Sequence, residues 1–311
     1  MRNIIYIVNP ISGTGTSAYR QASKKDIEQS IKQKTKAAGI PFQIFPSVAS
    51  GDYAFLRPII KEQKITDVVI AGGDGTISQV VSSLMDCNIN FGIIPCGSGN
   101  GLAYTVKIPK QYGKALEIVF KGKSSAIDGF YINDQFACML CGLGFDAKVA
   151  HDFAQQPQRG LTTYIKQVIK NFFAAKTYLF ELSVNNTRFS RDAYFISIAN
   201  SNQFGNNFTI APKASLTDGL LDIVIVTSQN RLSVLLQTLK QVSGRNKLLR
   251  KESFEQAIPL IEKKEVIYFQ TDKLNIINHA QAPLHIDGDP AETPDELKIE
   301  INKKCFRLIQ P

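Results

Sequence analysis

The stretch VVIAGGDGTISQVV, residues 68–81, closes an apolar run with two glycines, an aspartate, a third glycine and a threonine. Two more runs of small residues follow apolar runs in the same way, NPISGTG at 9–15 and PCGSGNG at 95–101. Glycine lets backbone N–H groups approach a ligand with no Cβ in the way, and a following helix adds the partial positive charge of its N-terminus. Three such mouths at one edge of a sheet make an anion cradle, and phosphate is its usual guest. Asp74 stands in the middle of it. A carboxylate beside phosphate is tolerable if it binds Mg2+, directly or through water, or meets a donor such as an attacking hydroxyl. Both roles belong to phosphoryl transfer rather than passive binding. Thr76 and Gln79 form T-x-x-Q, a capping box, so Thr76 is expected to cap the next helix, whereas the spacing of Asp74 does not suit it as a cap.

Two common nucleotide signatures are absent. Gly122-Lys123-Ser124 has the end of a Walker A loop, but position 117 is Glu, and Gly97-Ser98-Gly99 lacks the third Rossmann glycine because residue 102 is Leu.

The elements that must carry these loops can be read from periodicity. Strand-like runs at 4–9, 42–45, 67–71 and 91–95 alternate with helical stretches at about 17–38, 53–63 and 77–85. Apolar strands alternating with helices imply a doubly wound parallel sheet with helices on both faces, and ligands bind beyond the carboxyl ends of such strands. After residue 125 the pattern becomes one of short strands separated by turn formers such as Asn133-Asp134, Asn185-Asn186 and Asp218-Gly219. That is an antiparallel β-sandwich or open barrel, with helical inserts at roughly 161–175 and 232–250. The second insert is apolar on one face and basic at its end, fitting either an anionic bilayer or the sheet. The fold class is thus α/β plus β: an α/β domain over 1–125, a β-rich domain over 126–290, and strands over 291–311 that could rejoin either.

The 311 residues carry a net charge of +9 and are 44% hydrophobic, which gives a proper core and favours anionic partners without choosing among them. No run is long and apolar enough to span a membrane. Five cysteines without a framework fit a reducing cytoplasm. Cys138 and Cys141 form C-x-x-C in a strand-like run, and the three histidines show no metal-ligand spacing.

Taken together, NPISG, GGDGT, PCGSGNGLA, GLGFDAKV (142–149), APKASLTDGLLDI (211–223) and HIDGDP (285–290) resemble, in order along nearly the whole chain, the diacylglycerol kinase catalytic family. That family includes bacterial lipid kinases and sphingosine kinases. The resemblance implies a nucleotide-binding α/β domain followed by a β-rich lipid-binding domain, with the last strands returning to the first domain. It also implies an ATP-dependent, Mg2+-dependent kinase of a lipid hydroxyl, most simply diacylglycerol, with a sphingoid or other lipid alcohol, NAD, or a non-catalytic regulator as the other readings. Carried over by position, Asn9, Ser12, Gly13, Gly72, Gly73, Asp74, Gly75 and Thr76 serve the ATP side. Ser47 stands in for a family threonine; Gly97, Ser98 and Asn100 form the third phosphate loop, with Arg159 as a further cation. The metal-binding D-G-x-L segment falls on Ser215, Asp218 and Leu220. In HIDGDP, Asp287 is the expected general base, Asp74 the second candidate, and Asp289 replaces the family's glutamate. The implied partners are nucleotide and a lipid at a membrane surface, not nucleic acid, with a cytoplasmic location and peripheral attachment at the inner face of the membrane.

Overall fold

The computed structural model describes residues 2–9, 17–156, 175–205, 208–209, 211–227, 253–257 and 266–311, and five positions between 163 and 171. Ser12, Gly13, Arg159, the insert at 232–250 and most of that at 161–175 lie outside the described residues. The chain divides into two units, 1–127 with 304–311 (and 158–160), and 128–157 with 161–303. The sequence pattern changes at 125 and 290; the units divide after Ile127 and Lys303.

In the first unit, β1 (Ile4–Val8), β2 (Phe42–Pro46), β3 (Asp67–Gly72) and β4 (Asn90–Pro95) form a parallel sheet in the order β4-β3-β1-β2. Every residue of β1 and β3 is buried, the continuous apolar character of central strands in a covered parallel sheet. Between the strands run α1 (Ser17–Ala37), α2 (Leu56–Glu62) and α3 (Asp74–Leu84), and after β4 come α4 (Gly101–Thr105) and α5 (Tyr112–Lys121). In α3, Ile77, Val80, Val81 and Leu84 are all buried, the i, i+3, i+4, i+7 stripe that docks a helix on a sheet. The strand starts are fixed at the edge opposite the glycine loops. Asp67, 2% exposed, accepts bonds from Arg2 Nε at 2.9 Å and Asn90 Nδ2 at 3.1 Å.

The second unit is antiparallel. It contains β6 (Gln135–Ala137), β7 (Leu140–Gly144), α6 (Phe145–Ala154), β8 (Tyr178–Val184), β9 (Thr187–Ala199), the small β10 (Gln203–Gly205) and β11 (Phe208–Thr209) hairpin, β12 (Leu221–Thr227), β13 (Val266–Thr271), β14 (Lys273–Ile277), β15 (Leu284–Ile286) and β16 (Asp289–Ala291). Strands β5 (Lys123–Ile132) and β17 (Glu296–Gln310) each contain a unit boundary. The thirteen-residue β9 makes the sandwich possible: its first half pairs with β8, and its second half lies between β7 and β12. Phe130, Phe180, Ile196, Ile198, Ile223, Phe269, Leu274 and Ile299 belong to one buried cluster. Burial of each such side chain contributes about 1.5–3 kcal/mol.

The tail resolves one open expectation. Arg307 and Leu308 pair in parallel with Asn90 and Phe91 of β4, and Phe306 packs edge-on against Phe91 at 5.8 Å, so the last residues complete the first unit's sheet. Among the described residues no helix is long and apolar enough to cross a membrane.

Candidate functional site

In the first unit the parallel ladder runs past the strand ends. Asn9 N–H donates to Ala71 O at 2.9 Å, Ser47 N–H to Val8 O at 3.0 Å, and Cys96 N–H to Gly72 O at 2.9 Å. The loops that begin at Asn9, Ser47, Gly73 and Cys96 therefore leave the same edge side by side.

These loops are stitched together by side chains. Asn9 Nδ2 donates to Thr76 Oγ1 at 2.7 Å. Asn100 sits at φ +55° and is 1% exposed; its Oδ1 accepts from Gly97 N–H and its Nδ2 donates to Gly97 O, both at 2.8 Å. Gly73 and Gly97 meet backbone to backbone. A Cβ on Gly97 would lie 2.6 Å from Gly73 Cα, and only paired glycines permit that approach.

Helix α3 begins at Asp74 with extended Gly73 as its N-cap, three residues earlier than the T-x-x-Q pattern predicts. Thr76 therefore lies inside the first turn and does not cap. It is buried and spends its hydroxyl on Asn9. Asp74 is a cap after all, but of a different helix: its carboxylate accepts Gly101 N–H at 3.0 Å and Leu102 N–H at 3.3 Å, at the start of α4. The sequence spacing along α3 could not reveal this, because the partner lies 27 residues away. The backbone N–H groups of the first turn of α3 have no carbonyl four residues back within the helix, and Gly73, Asp74 and Gly75 are half-buried. The mouth thus offers N–H groups at a helix N-terminus with the half-buried hydroxyls of Ser47 and Ser98 on neighbouring loops. Cys96 borders it, and burial pushes its thiol up to about 12, which disfavours the thiolate at neutral pH.

In the second unit, Asp287 and Gly288 make a two-residue turn between β15 and β16, both at positive φ (+48° and +87°). That is the primed turn that matches strand twist. Asp287 is 7% exposed, and its carboxylate accepts Cys138 N–H at 2.8 Å, Met139 N–H at 2.9 Å and Leu140 N–H at 3.0 Å. Three of its roughly four lone-pair directions are thereby engaged in holding a backbone segment. The same segment is held from its other side: Asn200 and Ser201 N–H donate to Met139 O at 2.7 and 3.0 Å, and Asn200 Nδ2 donates to Cys138 O at 2.9 Å. Asp289, two residues on, is exposed. Cys138 and Cys141 are buried, and neither is in a disulfide. The Cys141 thiol is pushed well above its usual range, by burial first and then by the charges of Asp287 and Asp146.

The D-G-x-L segment is also built around carboxylates. Asp218 is exposed; its Oδ1 accepts Leu220 N–H at 3.2 Å and its Oδ2 accepts Gln270 Nε2 at 3.3 Å. Gly219, at φ +70°, donates its N–H to the buried Asp128 at 2.8 Å. Gln270 also donates to Asp222 at 2.9 Å, and Tyr268 OH donates to the same carboxylate. Burial, and next the Asp222 charge, push the Tyr268 phenol far up. Ser215 Oγ is 3.4 Å from Thr217 Oγ1. Among the described residues no group of three or more His, Cys, Asp or Glu side chains gathers as a metal cage. A hard cation here would draw on one carboxylate, a hydroxyl and backbone carbonyls, an all-oxygen set that suits Mg2+ or Ca2+. Asp128, Asp146, Asn200, Asp222, Gln270 and His285 were not singled out from sequence. The only signals were their positions inside or beside the motifs, as with Asp146 in GLGFDA and His285 in HIDGDP.

Comparison with known proteins agrees with this layout. Residues 3–132 match the family model described as the diacylglycerol kinase catalytic domain, and residues 140–308 match the YegS C-terminal NAD kinase beta sandwich-like domain. Proteins from Escherichia coli and Shigella flexneri named "Probable lipid kinase YegS" are each 30% identical over 210 residues, covering 65% of this chain and 70% of theirs. A solved diacylglycerol kinase structure from Bacillus anthracis str. Sterne covers 100% of this chain and 97% of its own at a TM-score of 0.69 and 18% identity, a likeness of fold.

Proposed function

Because the chain belongs to the lipid kinase family that joins a diacylglycerol kinase catalytic domain to a YegS-type β-sandwich domain, we propose that it transfers the γ-phosphate of ATP to the hydroxyl of diacylglycerol, giving phosphatidic acid. The observation that carries the nucleotide half is the stitched mouth of the first unit. Asn9 with Thr76, and Asp74 with the start of α4, bind one loop to the next, while Asn100 closes the Gly97 loop on itself. In this reading they act by shape: they fix the N–H groups of residues 74–76 and the Gly97 loop so that the phosphates meet donors already in place. Ser47 and Ser98 supply hydroxyls to the same phosphates.

Asp287 and Asp289 divide the work of the HIDGDP hairpin. Asp287, tied to three backbone N–H groups, holds the turn. Asp289, the exposed carboxylate of the pair, accepts the proton of the lipid hydroxyl as the phosphoryl group transfers in line. This moves the proton acceptor two residues from the Asp287 that the motif alone favours. Mg2+ supplies charge neutralisation on the transferring phosphate when bound, and Ser215, Asp218 and Leu220 would hold a structural ion in the second unit. The acceptor approaches from a membrane surface, with the chain attached peripherally and located in the cytoplasm.

The test is transfer of radiolabelled γ-phosphate from ATP into a panel of lipids in mixed micelles: diacylglycerol, a sphingoid base, monoacylglycerol and phosphatidylglycerol. Label in phosphatidic acid is the expected result. Label in another lipid changes the acceptor, and label in NAD without lipid overturns the lipid kinase assignment for this chain.

A further inference from the structure

Gly142, the first glycine of GLGFDA, pairs directly with His285 across the β7–β15 ladder. A Cβ at 142 would collide with Asp146 Oδ2 and would lie 2.5 Å from His285 Nε2. The space above this glycine is therefore filled by a carboxylate and an imidazole. His285 is 0% exposed and Asp146 is 6% exposed. Asp146 lies in the first turn of α6, where its Oδ1 accepts Ala147 N–H at 2.8 Å. Its Oδ2 is buried with no hydrogen-bond donor among the described residues, and His285 Nε2 stands 3.5 Å away. A buried carboxylate oxygen left without a compensating proton costs several kcal/mol. A hydrogen on the imidazole nitrogen that faces it would supply that compensation. Helix α6 reaches the same strand a second time, because His151 Nε2 donates to Leu284 O at 2.8 Å. The β15–β16 hairpin is thus secured at its turn by Asp287 and along its strand by α6.

We propose that His285 is a positioning residue: its Nε2–H on Asp146 Oδ2 locks the hairpin against α6 and so holds Asp289 in place for proton acceptance. The positioning role rests on the lipid kinase reading above; the protonated pair itself does not. Gly142 belongs to the device, because no other residue leaves room for both side chains.

Two measurements test it. The chain has three histidines, so 15N side-chain spectra of the full protein can be assigned with His285→Gln as the blank. The expected spectrum shows a hydrogen on Nε2 of His285 and a changed His285 signal in Asp146→Asn. A bare Nε2, or a signal indifferent to Asp146→Asn, overturns the pair. In the transfer assay, His285→Gln and Asp146→Asn should each lower kcat by about 10- to 100-fold, the scale of a misplaced catalytic group, with KM for ATP within about twofold of the unmodified protein. The double variant should fall little further than either single variant, because both remove one interaction. A folded His285→Gln protein with full kcat refutes the positioning role, and if that variant fails to fold, Asp146→Asn, which keeps the shape of the side chain, carries the same kinetic test. If the unmodified protein labels no lipid at all, the lipid kinase reading fails and the positioning role falls with it, while the spectra still decide the pair.

Discussion

Substituting Asp287 and Asp289 separately should produce opposite signatures. Asp287→Asn keeps one acceptor oxygen but places an amide NH2 among three backbone donors, Cys138, Met139 and Leu140 N–H. At least one donor is then left unsatisfied in a site only 7% exposed, which costs about 1–3 kcal/mol, and losing a charged acceptor weakens the bonds that remain. We therefore expect about 2–4 kcal/mol of lost stability. At roughly 2–4 °C per kcal/mol for a unit of this size, the unit that holds residue 287 should melt about 5–15 °C lower. Asp289→Asn alters an exposed carboxylate, and such a change should stay within about 0.5 kcal/mol in stability while lowering turnover by about 100- to 10,000-fold through loss of the proton acceptor. Differential scanning fluorimetry and the lipid transfer assay on both variants give the two axes. The reasoning is refuted if Asp287→Asn melts with the unmodified protein and only its turnover is lost, because Asp287 would then be the base and its three bonds incidental. It is equally refuted if Asp289→Asn transfers phosphate at an undiminished rate.

Three further outcomes follow from the geometry. Gly97→Ala drives a Cβ to 2.6 Å from Gly73 Cα and 2.9 Å from Asn100 Oδ1; isothermal titration should show ATP binding weakened by at least about tenfold, with about 1–3 kcal/mol of overpacking cost in the melt. Asp74→Ala removes the acceptor for Gly101 and Leu102 N–H, so stability should fall by about 1–2 kcal/mol, as on loss of a helix cap, and ATP affinity should fall with it. An unchanged melt would show that the Asp74 bridge to α4 carries no weight. Burial raises the Cys96 thiol to about 12 from a usual 9.0, so at pH 8 its thiolate fraction is about a thousandfold below that of an unperturbed cysteine. Mass spectrometry after a short iodoacetamide pulse at that pH should find Cys96 unmodified in the folded protein and modified once it is unfolded.

The sheet of the first unit is legible because its strands are short apolar runs between helical stripes, and local periodicity is enough to find them. The glycine loops are legible because close backbone approach leaves a compositional trace at each strand end. Gly73 against Gly97 is the physical reason for two of those glycines, although the sequence shows only that both are present. The start of α3 was misplaced because T-x-x-Q is a local pattern, while the real geometry answers to distant partners: Thr76 to Asn9, and Asp74 to α4. The His285–Asp146 pair left no recognisable spacing, since it spans 139 residues and depends on the β7–β15 register.

The chain by itself determined the order of its elements, the α/β and β-rich halves, the glycine loops and the motifs that announce phosphoryl transfer, all of which rest on contacts between near neighbours or on composition. Only the tertiary structure decided what surrounds the carboxylates. Asp74, Asp287 and Asp289 look alike in sequence, as acids beside glycines. Two of them are buried or half-buried and accept backbone N–H groups that arrive from elsewhere in the chain, and the third belongs to an exposed residue. A carboxylate's chemistry is set by which donors reach it and how much water remains, and folding brings those from positions that no local spacing records.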